Sequence, residues 1–121
     1  IGLDRRINVL VYLNKSWKDE YGGHFELWDR DMKNCVNKVP PTYNTMAIFS
    51  TTDFSYHGHP DPLQCPQDMS RKSLALYYYS NGRPAEEISL EKHTTLFQQR
   101  TDNKADGKAS SKNKRFLKKI L

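Results

Sequence analysis

The sequence predicts an all-β fold of the sandwich, barrel or jelly-roll type. Five short segments carry the apolar alternation, or the β-branched and aromatic residues, that are typical of strands. Turns rich in glycine and proline separate them, and no helical pattern of about 10–15 residues lies between them, which disfavours a parallel α/β sheet. The 121 residues suffice for one domain with a core of its own.

The strands are predicted one by one from local patterns. The first alternates strictly, with Val9 and Val11 on one face and Leu10 and Tyr12 on the other. A polar connector follows and ends at Gly22-Gly23, and Pro40-Pro41 stops the third strand. The last strand carries the clearest pattern. The predicted strands are residues 6–14, 24–29, 35–39, 46–50 and 72–79.

Charge divides the chain into a body and a basic tail. Residues 1–90 carry a net charge of −1, and residues 91–121 carry +6. We predict a linker at 105–114, which is rich in Lys, Ser, Asn and Gly, and a partly disordered tail that ends in a possible short helix at 114–121. The tail lacks interleaved aromatic residues, so nucleic-acid binding is disfavoured. No apolar run approaches the roughly 18 residues of a membrane span, and we expect a cytoplasmic protein.

The chemistry-bearing residues cluster between positions 50 and 79. A histidine at the end of a strand, such as His57, can offer a neutral imidazole to a divalent metal. Arg71 and Ser73 lie two positions apart, so on a strand they share a face and could grip a carboxylate. Tyr12 on the first strand could add another hydroxyl.

These residues, taken in order, resemble the prolyl 4-hydroxylase-type oxygenases that depend on iron(II) and 2-oxoglutarate. The first strand with its Tyr12-Leu13-Asn14, then Trp17 and Gly22-Gly23, looks like the middle of that family's domain. The resemblance covers roughly residues 3–84. The later segments that match, in the same order, are Ile48-Phe49-Ser50, His57 and Arg71-Lys72-Ser73.

The resemblance implies a fold, cofactors and residue roles. The fold would be a double-stranded β-helix, the cupin-like jelly roll. His57 would match the distal iron ligand, Arg71 and Ser73 the grip on the distal carboxylate of 2-oxoglutarate, and Tyr12 a further bond to it. Iron(II), 2-oxoglutarate and O2 would be required, with ascorbate as a possible aid. The reaction would hydroxylate an unactivated C–H bond of a protein, peptide or small molecule, with a prolyl residue favoured.

One departure from the family concerns the other iron ligands. That family holds iron with a His-x-Asp pair ahead of the first strand described above, plus the distal histidine. The eleven residues before Tyr12 include Asp4 but no histidine. We therefore expect an N-terminally truncated domain, which by itself has one of three ligands and is inactive.

Two other readings of the sequence stay open. The chain could be a jelly-roll binding module without catalysis. It could also be a cupin-type metal enzyme that uses His57 and His59 together. Cys35 and Cys65 are expected to be free thiols, and the sequence does not give an oligomeric state.

Overall fold

The computed structural model describes residues 2–88 and, beyond them, the backbone of two strands at 96–99 and 116–119. The eight strands and two 3-10 helices are β1 (Asp4–Tyr12), a 3-10 helix (Asp19–Tyr21), β2 (Phe25–Trp28), β3 (Cys35–Val39), β4 (Thr45–Ser50), β5 (Tyr56–Gly58), β6 (Ser73–Ser80), a 3-10 helix (Ala85–Glu87), β7 (Leu96–Gln99) and β8 (Phe116–Lys119). Neither helix of the described residues is long and apolar enough to cross a membrane.

The strands form two antiparallel sheets. One sheet has the order β4-β1-β6, and the other has the order β3-β2-β5-β8-β7. In the first sheet Tyr12 lies opposite Thr45 on β4 and Ser73 on β6. In the second sheet β5 pairs with β2 and β8, and His57 lies opposite Leu27. The fold class predicted from the sequence, a strand-dominated jelly roll, is confirmed.

The core lies between the two sheets. Tyr12 and Phe49 come from the first sheet and Phe25 from the second, and the two phenylalanine rings lie 4.6 Å apart, centroid to centroid. Because side chains alternate along a strand, the face of β1 that packs on this cluster carries Leu10 and Tyr12, while Val9 and Val11 lie on the opposite face, where Val9 is also buried. The alternation seen in the sequence therefore separates the face of β1 that packs on the second sheet from the opposite face.

Ion pairs hold the end of the sheet at which β1 begins. The buried Arg83 guanidinium lies 2.9 Å from Asp53 and also donates to the backbone carbonyl of Arg5. Arg6 pairs with Glu87 across the same end. These contacts tie the segment after β6 to the first strand.

Three local expectations differ from the structure or lie outside it. Neither β5 nor β7 is predicted from the sequence. β5 is a three-residue strand that contains Gly58, has too little pattern and depends on pairing with its neighbours, and β7 lies in the segment assigned to the basic tail. The short helix predicted at 114–121 is instead the strand β8, because its backbone pairs with β5 and β7. The predicted linker at 105–114 lies outside the described residues.

Candidate functional site: a carboxylate grip and a histidine across the core

Arg71 and Tyr12 form the centre of the site. The Arg71 guanidinium lies 4.9 Å from the centre of the Tyr12 ring, and its Nη2 donates to the tyrosine hydroxyl at 3.2 Å. Tyr12 is fully buried. Burial raises the pKa of its phenol, although the nearby Arg71 charge opposes the shift, so the hydroxyl stays protonated at neutral pH.

A glycine turn fixes the arginine from the other side. Arg71 Nε donates to the backbone carbonyl of Gly23 at 2.6 Å. Gly23 has φ +72°, and a Cβ there would lie 2.9 Å from Arg71 Cδ and 2.6 Å from Leu63 Cδ2. The arginine thus crosses the turn where only glycine leaves room. Trp17 orders the turn, because its Nε1 donates to the Gly22 carbonyl at 3.0 Å.

Asn14 sets the register of the strand that follows Arg71. Its Oδ1 accepts the Lys72 N–H at 2.6 Å, and its Nδ2 donates to the Lys72 carbonyl at 3.0 Å and to the Pro41 carbonyl at 2.7 Å. Asn14 is buried and all three bonds run to backbone. The Asn14 side chain therefore holds the backbone of Lys72, next to Arg71, against the end of β1.

Ser73 lies beside the arginine–tyrosine pair. It is the first residue of β6 and the cross-strand partner of Tyr12, so the two side chains share the inward face. Ser73 is exposed, whereas Tyr12 beneath it is not. The structure thus brings together the three residues that the sequence assigned to a carboxylate grip: Tyr12, Arg71 and Ser73.

His57 reaches the same core from the opposite sheet. Its ring is 5% exposed and packs 4.7 Å from the Phe49 ring and 5.9 Å from the Phe25 ring, centroid to centroid. Tyr12 belongs to the cluster formed by these two phenylalanines. His57 therefore lies across the core from the arginine–tyrosine pair, in apolar surroundings that restrict water.

His59 lines a small open cleft. It follows the end of β5, and its neighbours in the cleft include Gly23 and Glu26. Burial and the Arg71 charge both lower the pKa of His59, which keeps the ring neutral at pH 7. His57 packs on the core phenylalanines whereas His59 lines the cleft, and no three His, Cys, Asp or Glu of the described residues are grouped to hold a metal ion.

Comparison with known proteins shows the family of the chain. Residues 2–79, which include β1 to β6 and all four predicted site residues, match the 2OG-Fe(II) oxygenase superfamily. The chain belongs to this superfamily. It is also similar to prolyl 3-hydroxylase OGFOD1 of Mus musculus, with 30% identity over 79 residues. That match spans 62% of this chain and 14% of the mouse protein, and no solved structure matches significantly.

The site suits the carboxylate cosubstrate of the superfamily. The two bonds described above use two of the five N–H donors of Arg71, and its planar fork matches a carboxylate. Protonated Tyr12 and Ser73 add hydroxyl groups on the same face. For the iron, His57 offers an imidazole held by its packing against Phe25 and Phe49, and a facial triad needs three ligands.

Sequence reasoning missed two residues on which the site depends. Gly23 was assigned to a turn, yet the structure adds the close approach of Arg71 across it. Asn14 was assigned to the end of the first strand and received no role, although it fixes Lys72. The pair Gly22-Gly23 could have signalled a close approach, whereas nothing in the sequence around Asn14 points to position 72.

Proposed function

We propose that the protein is an iron(II)- and 2-oxoglutarate-dependent dioxygenase that hydroxylates a prolyl residue of a protein or peptide. Superfamily membership supports the reaction class. The similarity to a prolyl 3-hydroxylase favours the prolyl substrate. In this proposal the carboxylate grip consists of Arg71, Ser73 and Tyr12, and His57 is a ligand of the iron.

The observation that carries the proposal is the immobilised Arg71. Its guanidinium is bonded to Gly23 and to the buried Tyr12 hydroxyl, and it stacks on the tyrosine ring. Such an arginine loses little further freedom when a carboxylate binds, which favours affinity and a fixed orientation. An ordinary ion pair at a strand end would not need a fully buried tyrosine beneath it.

In this proposal the two sheets have different roles. Arg71 and the hydroxyls of Tyr12 and Ser73 would bind and orient 2-oxoglutarate from the first sheet, and His57 would bind iron from the second. Phe25 and Phe49 pack against His57 and exclude water from its side of the core. Iron(II) with 2-oxoglutarate supplies the activation of O2, so that one oxygen atom enters the C–H bond and the other enters succinate as CO2 leaves.

Three finer points belong to the same proposal. Ascorbate would serve to keep the iron reduced. The protein would act in the cytoplasm. Hydroxylation of a small molecule is the other outcome that a substrate assay must distinguish, because the carboxylate grip itself does not select the substrate.

The proposal is tested by following succinate formation from 2-oxoglutarate in the full-length protein, with iron(II), O2 and ascorbate. We expect His57→Ala to lose bound iron and activity together. Arg71→Ala should keep iron, and its KM for 2-oxoglutarate should rise by about 30-fold or more, because a charge-assisted bidentate contact is lost.

His24→Ala is the matched histidine control, because His24 bonds to Asp19 and not to the core cluster. It should keep iron and turnover. If wild-type protein binds no iron and forms no succinate, the enzyme proposal is wrong and a binding module becomes the better explanation. If His59→Ala loses as much iron as His57→Ala, the two histidines act as a cupin-type pair.

A further inference from the structure

The loop that leads into β6 folds back over the turn that holds Arg71. Residues 59–70, which the structure describes throughout, carry three prolines and form neither strand nor helix. The Gln64 N–H donates to the Tyr21 carbonyl at 3.0 Å, so the middle of the loop is fixed to the segment just ahead of the turn. The loop therefore lies against the same turn whose Gly23 carbonyl accepts from Arg71 Nε.

Leu63 is the side chain of this loop that lies beside the arginine above the glycine. A Cβ built on Gly23 would lie 2.6 Å from Leu63 Cδ2 and 2.9 Å from Arg71 Cδ. Because both carbons lie close to one point, the leucine methyl group and the arginine stem are neighbours in the space that the missing side chain leaves. Gly23 is buried and Leu63 is half-buried, so this contact is largely shielded from water.

The hydrogen bonds of Arg71 leave its flexible stem to be held by packing. The guanidinium is bonded at Nε to Gly23 and at Nη2 to Tyr12. Arginine has a large rotamer entropy, and the ordering of a loose arginine on binding weakens its affinity for a carboxylate. Water near the Gly23 carbonyl would also compete for the Nε–H. An apolar group beside the stem opposes both effects, and Leu63 is such a group.

We propose that Leu63 is a positioning residue for Arg71. Its side chain holds the arginine stem over Gly23, so that the guanidinium is oriented before the carboxylate of 2-oxoglutarate arrives. Leu63 does not touch the cosubstrate and acts only through the arginine. This inference rests on the proposed function for its role in 2-oxoglutarate binding, whereas the hold on the arginine is measured without turnover.

Two residues separate this role from a general contribution to stability. Met69 is half-buried in the same loop and its hydrogen bonds run through its backbone, so Met69→Ala is the matched loop control. Arg83 is a second buried guanidinium, bound to Asp53 at the end of the sheet where β1 begins. A loss of global stability would loosen both arginines, whereas the loss of a positioning contact would loosen Arg71 alone.

The first test follows the Arg71 Nε–H by NMR and needs no activity. The full-length protein is labelled with ¹⁵N at arginine Nε, and the two signals are assigned by their absence in Arg71→Lys and Arg83→Lys. We expect Leu63→Ala to speed hydrogen exchange of the Arg71 Nε–H by about tenfold, since its bond to Gly23 opens more often. Leu63→Met, which keeps an apolar side chain of similar length, should restore slow exchange. The Arg83 Nε–H should exchange at the wild-type rate in both variants, and Met69→Ala should change neither arginine.

The second test measures 2-oxoglutarate binding by calorimetry in the iron(II)-loaded full-length protein without O2. We expect Leu63→Ala to raise the Kd by about three- to tenfold, because the arginine must then be ordered on binding. Under turnover, the KM for 2-oxoglutarate should rise by the same factor, while kcat stays within about twofold of wild type. In an Arg71→Ala background, Leu63→Ala should have no further effect, since no guanidinium is left for it to position.

The positioning role would be wrong if Leu63→Ala left the Arg71 exchange rate unchanged, or if it accelerated Arg83 equally. A loss of affinity by the same factor in the Arg71→Ala background would contradict it as well. If Leu63→Ala does not fold, Leu63→Val, which is one carbon shorter than wild type, gives the same comparison with an expected acceleration of about threefold. A wild-type protein that binds no 2-oxoglutarate would overturn the proposed function instead, and the exchange comparison would still decide whether Leu63 holds Arg71.

Discussion

Tyr12 shows how one residue serves both the core and the site. Its ring is fully buried in the cluster with Phe25 and Phe49, and its hydroxyl accepts a hydrogen bond from Arg71. Removal of the hydroxyl should therefore affect the position of the Arg71 guanidinium more than the stability of the fold. The ring contact to the guanidinium remains in a phenylalanine variant.

We predict that Tyr12→Phe raises the KM for 2-oxoglutarate by about 5–30-fold, which corresponds to roughly 1–2 kcal/mol for one hydrogen bond to a charged group. The Tm should change little. Because the pKa of Tyr12 is raised, the hydroxyl stays protonated and the ratio of variant to wild-type KM should be constant from pH 6 to 9. A ratio that falls toward pH 9 would indicate an ionised phenol instead.

His59 makes the stability of the folded protein depend on pH, and the direction of this dependence follows from its lowered pKa. Its pKa is lowered in the folded protein by burial and by the Arg71 charge, so the unfolded chain binds more protons once the pH falls below about 6.5. The folded protein therefore loses stability as the pH falls from the pKa of His59 in the unfolded chain toward its lower pKa in the folded protein. The effect ends where the folded protein also protonates His59.

We predict that His59→Gln reduces the loss of stability between pH 7.5 and pH 5. The measurement is the urea midpoint of wild type and variant at both pH values, because a neutral side chain removes the difference in proton uptake. The carboxylates titrate mostly below this window. An equal loss of stability in both proteins would show that His59 does not govern this pH dependence.

The turn between the first 3-10 helix and β2 is the element on which the site depends. It carries Gly23, whose carbonyl accepts from Arg71 Nε and whose missing side chain leaves room for the arginine. Gly82 offers a control, because it also has a positive φ, +85°, but nothing lies within 4 Å of a Cβ built there. A substitution at Gly82 therefore measures the backbone strain alone, whereas the same substitution at Gly23 adds a steric clash.

We predict that Gly82→Ala costs about 1 kcal/mol of unfolding free energy from its positive φ alone. Gly23→Ala should cost more, by about 1–3 kcal/mol, since the new methyl group overpacks against Leu63 and Arg71. Only Gly23→Ala should raise the KM for 2-oxoglutarate. Equal effects of the two substitutions on stability and KM would contradict the steric argument.

At the scale of the whole molecule, the outer face of the first sheet is apolar and open. Large apolar side chains from all three strands point away from the core and keep 41–65% of their surface exposed; they are Ile7, Met46, Ile48, Leu74, Leu76 and Tyr78. A contiguous apolar surface of this kind promotes association in water. The two outer strands β4 and β6 also lack a second neighbour within the described sheet.

We predict that these 121 residues, expressed on their own, self-associate in a concentration-dependent way. Met46→Thr and Leu74→Thr together should reduce the association, because threonine keeps the strand preference and lowers the exposed apolar area. Sedimentation velocity over a tenfold concentration range is the measurement. Ala47→Ser, on the buried face of β4, is a control that should leave the association unchanged. A wild-type chain that stays monomeric throughout would refute this prediction.

The sequence by itself determined the fold class, the positions of five strands and the four candidate site residues. It could do so because alternation and turn chemistry are local properties, and because the order of Tyr12, His57 and Arg71-Lys72-Ser73 resembles a known family. Local patterns also gave β3 its observed bounds. The short strand β5 carried too little pattern to be found.

The tertiary structure decided which face of β1 is the core and which residues support the site. Both faces of that strand are apolar, so the alternation alone left the choice open, and the packing of Tyr12 against Phe25 settles it. Gly23 and Asn14 gained their roles only from partners 48 and 58 positions away. Contacts between distant strands have no local signature, because they arise from the register of the sheet rather than from neighbouring residues.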